Sequence, residues 1–159
     1  MIDHQSYMYR ALELAALGLG NVSPNPLVGC VIVENNQIIG EGYHERFGEA
    51  HAEVNAVNSV YDKSLLQKST VYVTLEPCSH FGKTPPCADL LINNQVRKVI
   101  IAIEDPNPKV AGRGIQKLKD AGIEVELGLC KTDAYQVNRR FFTAFSKKRP
   151  YIILKWAET

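Results

Sequence analysis

The chain lacks the features that mark membrane, secreted or nucleic-acid-coating proteins. No apolar stretch approaches the about 20 residues of a bilayer span, and Asp3 and an amphipathic run open the chain in place of a secretory signal's apolar core. Basic residues gather only at Lys147-Lys148-Arg149, and the formal net charge is +1. That balance argues against nucleic acid as a partner, since a phosphate backbone needs a broad cationic face. There are only four cysteines, Cys30, Cys78, Cys87 and Cys130. With no export signal they point to a reducing cytoplasm, and to metal ligation before disulfides. Apolar residues at 45% and charged ones at 22% of 159 residues are the values of one globular domain.

What is present is an alternation of periodicities. Helical spacing over 4–19 begins after a capping Asp3 and ends at Gly18 and Gly20. Apolar, β-branched runs at 27–33 and 37–43 flank Glu34-Asn35-Asn36 and predict an antiparallel hairpin. Helices are then expected at 51–60, 87–93, 114–121 and 131–145, and strands at 70–75, 98–103, 123–127 and 150–155. Strands separated by helices predict parallel pairing with helices on both faces, so the fold class is α/β, a three-layer α/β/α sandwich with an initial antiparallel hairpin. Cys30 and Cys130 are expected to be packing residues, and His4 an exposed residue at a helix start.

One constellation carries chemistry. His51-Ala52-Glu53 is followed by Pro77-Cys78 and, after the eight residues from Ser79 to Pro86, by Cys87. An imidazole and two thiols fill three corners of a zinc tetrahedron and leave one for water, and a nearby carboxylate can move that water's protons. In a regular helix His51 and Glu53 point about 200° apart, so both reach one ion only if it lies off the helix N-terminus. Cys78 and Cys87, near a strand end and a helix start, are expected to bind as thiolates. His51, Cys78 and Cys87 are therefore the metal candidates, and Glu53 the catalytic proton carrier for hydrolysis of a cyclic amidine.

Longer strings narrow the reading. They are Ser23-Pro24-Asn25-Pro26-Leu27-Val28-Gly29-Cys30, Gly42-Tyr43-His44, Gly48-Glu49-Ala50-His51-Ala52-Glu53, Thr74-Leu75-Glu76-Pro77-Cys78-Ser79-His80-Phe81-Gly82-Lys83-Thr84-Pro85-Pro86-Cys87 and Glu104-Asp105-Pro106-Asn107-Pro108. Together they resemble the deaminase domain of the bifunctional riboflavin-biosynthesis deaminase/reductase, over nearly the whole chain. The resemblance implies a cytidine-deaminase-like fold, a mixed five-stranded sheet in the order 2-1-3-4-5. It also implies zinc-dependent conversion of 2,5-diamino-6-(5-phosphoribosylamino)pyrimidin-4(3H)-one to 5-amino-6-(5-phosphoribosylamino)uracil and ammonia. At matching positions it puts Asn25, His44 and Ala52 among the substrate contacts, with Asn25 and His44 on the pyrimidine. His80, Lys83, Asp105 and Asn107 are implied to hold the ribose and phosphate. It implies a homo-oligomer, and a following reductase domain that uses NADPH. Residues 1–148 are then the deaminase domain, and 149–159 a linker or the first strand of the absent reductase domain.

Two other functions fit less well. Deaminases of cytidine, guanine or tRNA adenosine typically have Cys-x-x-Cys where this chain has the long spacing. A structural zinc module needs a fourth ligand, which Cys30 would have to supply, and leaves Glu53 without a role.

Overall fold

The structure is a computed structural model that describes residues 3–81, 85–108 and 110–158. Helix α1 (His4–Leu17) starts as expected, with the Asp3 carboxylate accepting the Ser6 amide at 3.2 Å. Strands β1 (Gly29–Glu34) and β2 (Gln37–Tyr43) form the hairpin. Asn35 and Asn36 turn it with φ of 51° and 61°, the left-handed values a two-residue turn requires and asparagine tolerates. Then follow α2 (Ala52–Ser59), a 3-10 helix (Lys63–Lys68), β3 (Thr70–Val73), α3 (Cys87–Asn93), β4 (Lys98–Ile101), α4 (Arg113–Asp120) and β5 (Glu124–Leu127). Helices α5 (Lys131–Val137) and α6 (Arg139–Lys147) close the fold.

The five strands lie in the order β2-β1-β3-β4-β5. Alternation along the central strands separates two cores. Cys30, Ile32, Val71, Val73, Val99 and Ile101 pack with residues of α2, α3 and α4. Val31, Val33, Tyr72 and Ile100 pack with α1 and with Ala134 and Phe142 of α5 and α6. The three layers are thus those predicted, and Cys30 is a fully buried packing residue.

Four expectations need correction. Parallel pairing holds only for β3, β4 and β5; β1 runs antiparallel to β3 as well as to β2. The segment 131–145 is not one helix, because Asn138 leaves helical geometry at φ −105° and its side chain is used elsewhere. Residues 150–155 form no strand; they lie exposed with no sheet edge beside them to satisfy their backbone groups. His4 is half-buried, its Nδ1 2.7 Å from the Tyr72 hydroxyl. Among the described residues no helix is long and apolar enough to cross a membrane.

The sheet's directions decide where the site falls. Because β2, β3 and β4 point one way and β1 the other, one sheet edge gathers the residues after β2, β3 and β4 and those before β1. His44, Cys78, Asp105 and Asn25 belong to those connections. This is the strand-end crevice where open α/β sheets bind ligands.

Candidate active site

His51 arrives at that edge through close backbone packing. Helix α2 lies on β2, and a Cβ at Gly42 would stand 2.7 Å from the Ala52 carbonyl oxygen and closer still to the Ala56 amide. Glycine in the strand and alanine in the helix therefore let the two backbones touch, and the helix start is fixed. His51 is the N-cap residue, with extended backbone at φ −74° and ψ 163°, yet its side chain makes no capping bond. The imidazole turns to the two sulfurs instead: Nδ1 lies 3.6 Å from Cys78 Sγ and 3.3 Å from Cys87 Sγ.

The three ligand atoms lie within 4.8 Å of one another. Tetrahedral zinc with ordinary Zn–N and Zn–S bonds sets its N and S ligands about 3.6 Å apart, so the donor set and its spacing fit the ion. Cys78 follows β3 through Pro77 and accepts the Cys87 backbone amide at 3.2 Å. Its thiol is brought down to about 4, first by the hydrogen bond from Cys87 and against the cost of burial, with His51 adding. That same bond and burial push the Cys87 thiol up. Two adjacent buried thiolates repel, and a divalent cation held between them would favour ionisation of both. The His51 imidazole is raised, chiefly by its bond to Cys78.

Glu53 is 3% exposed, in the first turn of α2. Burial pushes its carboxyl up to about 7, and the Cys78 charge adds to that. A carboxyl so placed can hold or release a proton near neutrality.

Beside this group lies a cavity of about 250 Å³. His51, Glu53 and Cys78 line it together with Asn25, His44, His80, Asp105 and Asn107. Five of the seven expected substrate contacts thus share one space with the chemistry. Ala52 does not line it; the side chain is fully buried in the core beneath α2. Lys83 lies outside the described residues. Cys30 is in the core and outside the His51–Cys78–Cys87 cluster, so it is not the fourth ligand of a closed structural site.

Polar groups along the cavity have defined orientations. His44 Nδ1 is 2.9 Å from the Ala50 carbonyl oxygen, which can only accept, so Nδ1 carries the proton. Nε2 then accepts from Asn25 Nδ2 at 3.1 Å, which leaves Asn25 Oδ1 as the amide's free acceptor end. Asp105 accepts the Asn107 amide at 2.8 Å, a turn bond that does not remove it from the cavity. Burial raises its carboxyl.

Sequence reasoning passed over three kinds of residue. Glu76 stands next to Pro77-Cys78 and lines the cavity, and its buried carboxylate accepts the amides of Asp105, Gly112, Gly114 and Ile115 at 3.3, 3.0, 2.9 and 3.4 Å. An acidic residue directly after the β-branched, largely apolar run 70–75 was the available signal. Phe141 and Phe145 add an aromatic wall from α6; their four-residue spacing was legible, their destination was not. Asn138 accepts the Leu27 amide at 2.8 Å and donates to the Leu27 carbonyl at 2.7 Å, from 111 positions away. Nothing local in sequence announces that pairing.

Comparisons with known proteins agree with this geometry. Residues 1–103 match the family described as the cytidine and deoxycytidylate deaminase zinc-binding region. The chain is 48% identical over 155 residues to the riboflavin biosynthesis protein RibD of Aquifex aeolicus, covering 98% of this chain and 43% of that protein. It is 52% identical over 136 residues to the diaminohydroxyphosphoribosylamino-pyrimidine deaminase of Buchnera aphidicola subsp. Schizaphis graminum, covering 86% of this chain and 91% of that one. The solved structure of Acinetobacter baumannii RibD superposes with a TM-score of 0.88 at 52% identity, over 92% of this chain and 41% of that chain. The chain thus spans about two fifths of the length of the RibD proteins it matches. From the signature in its first 103 residues and a relative matched almost end to end, the chain belongs to the zinc-binding cytidine and deoxycytidylate deaminase family of hydrolytic enzymes, in its RibD-type branch.

Proposed function

We propose that this chain removes the 2-amino group of 2,5-diamino-6-(5-phosphoribosylamino)pyrimidin-4(3H)-one, giving 5-amino-6-(5-phosphoribosylamino)uracil and ammonia in riboflavin biosynthesis. The observation that carries this is the convergence of His51, Cys78 and Glu53 with Asn25, His44, His80, Asp105 and Asn107 on one cavity. The likeness to the Buchnera diaminohydroxyphosphoribosylamino-pyrimidine deaminase supports the choice of substrate.

Zn²⁺ held by His51 Nδ1, Cys78 Sγ and Cys87 Sγ would supply Lewis acidity that eases ionisation of the attacking water. Glu53 takes a proton from that water and passes it to the amidine nitrogen; a second transfer lets ammonia leave as the carbonyl forms. Atoms balance as amidine plus water giving carbonyl plus ammonia. Asn25, oriented by His44, offers an acceptor to the heterocycle, while His80, Asp105 and Asn107 meet the ribose phosphate, with Lys83 supplying positive charge.

Residues 1–148 are the deaminase domain in this reading, and 149–159 lead toward a reductase domain that binds NADPH. The enzyme works in the cytoplasm as a homo-oligomer. The test is ammonia release by zinc-loaded protein from the diaminopyrimidine ribotide, with cytidine and guanine as competitors. Faster release from either competitor would overturn the substrate assignment.

A further inference from the structure

We propose that Asn138 is a positioning residue: it holds α6 against the Asn25 loop, so that Phe141 and Phe145 close one wall of the cavity on the flat face of a heterocyclic substrate. The proposal rests on the deaminase reading above and adds to it the element that sets substrate affinity.

The placement follows from helix geometry and two hydrogen bonds. Phe141 and Phe145, four positions apart, occupy one face of α6, and Asn138 is the N-cap residue from which that helix starts. Asn138 is 3% exposed and pairs with both backbone groups of Leu27. The residues on either side of Leu27, Pro26 and Val28, line the cavity, as does Asn25. Loop and helix are therefore one unit. Moving α6 moves the loop that carries Asn25.

The two phenylalanines are placed for contact with a ligand. Their ring centroids lie 4.7 Å apart at 48°, both line the cavity, and Phe145 is 41% exposed. An aromatic ring open to a cavity on a helix that buries Phe142 in the core is poorly used until something flat covers it. The polar groups Asn25, His44, Asp105 and Asn107 serve a ring's edge and substituents, and α6 serves its face. The zinc-binding signature ends at residue 103 and contains His51, Glu53, Cys78 and Cys87, so this wall lies outside the segment that deaminases of different substrates share.

The test uses the full chain with zinc content, melting temperature, kcat and KM measured together. Asn138→Ala and Phe145→Leu should each raise KM about tenfold, with kcat within about threefold of wild type and zinc retained. Phe145→Tyr, which keeps the ring, should restore KM. Folded, zinc-bearing Phe145→Leu and Phe141→Leu proteins with wild-type KM overturn the proposal, whether or not Asn138→Ala folds. A second readout does not depend on turnover of one substrate. In protein labelled with 4-fluorophenylalanine, the ¹⁹F signals of Phe141 and Phe145 should shift on titration with the ribotide, while that of Phe47 should not. If cytidine or guanine moves those signals and is the better substrate, the function proposed above fails and the wall stands. If the ribotide is turned over while both signals stay still, the wall fails alone.

Discussion

The Glu76 carboxylate accepts the Gly114 amide at 2.9 Å, joining the residue beside Pro77-Cys78 to the first turn of α4. No side chain intervenes: a Cβ at Gly114 would fall on the Pro77 carbonyl oxygen and 3.3 Å from Glu76 Oε1. The same carboxylate holds Asp105 and Gly112, so one acidic group ties a candidate metal ligand's neighbour to the loop expected to hold the sugar phosphate.

Replacing that charge isolates its role. Glu76→Gln puts an amide NH₂ where a carboxylate oxygen now accepts, and buried N–H groups lose a charged partner. Stability should fall by about 3 kcal/mol in urea unfolding, and KM should rise more than kcat falls. Unchanged unfolding would mean that the loop is held by other contacts.

Glu53→Gln tests proton transfer apart from metal binding. The variant should keep its zinc, because Glu53 is no member of the ligand cluster. Its kcat should drop at least about a hundredfold. Joint loss of zinc and activity, read by metal analysis beside ammonia release, would make Glu53 a ligand or a structural group.

Gly42→Ala probes the seat of α2. The added methyl meets Ala52 and Ala56 backbone atoms, so the helix must shift. We expect about 3 kcal/mol of destabilisation and weaker zinc retention, since His51 opens that helix. A melting temperature and zinc affinity equal to wild type would show that α2 adjusts without moving the imidazole.

Metal removal should be felt by the whole domain. The three ligands come from the start of α2, the connection after β3 and the start of α3, so an ion among them ties three segments together. Chelation should lower the melting temperature by about 5–10 °C, and stoichiometric zinc should restore it. A melting curve that ignores the chelator would count against metal at this cluster.

Much of this molecule is written locally. The hairpin is visible in Asn35 and Asn36, α1 in Asp3 and its apolar stripe, and α3 in the prolines before Cys87. The candidate metal triplet and Glu53 stand out in the sequence because zinc hydrolysis calls for those residue types, and the fold brings the three candidate ligands together. The antiparallel pairing of β1 with β3 was not legible, because helices between strands normally signal parallel neighbours and no residue reports which strands pair. The break at Asn138 was hidden for a related reason: asparagine inside a helical pattern costs little, and its partner Leu27 lies at the far end of the chain.

The sequence by itself determined the layered α/β class, most of the elements and the candidate ligand set, since periodicity, turn residues and donor chemistry are properties of short segments. Tertiary structure alone decided which edge of the sheet those segments reach. It also made Glu76 the hub of the Asp105 loop and Phe141 and Phe145 a wall, and it brought the His51, Cys78 and Cys87 side chains together. Strand direction, burial and charge proximity depend on contacts between residues far apart in the chain, and such contacts leave no periodic trace to read.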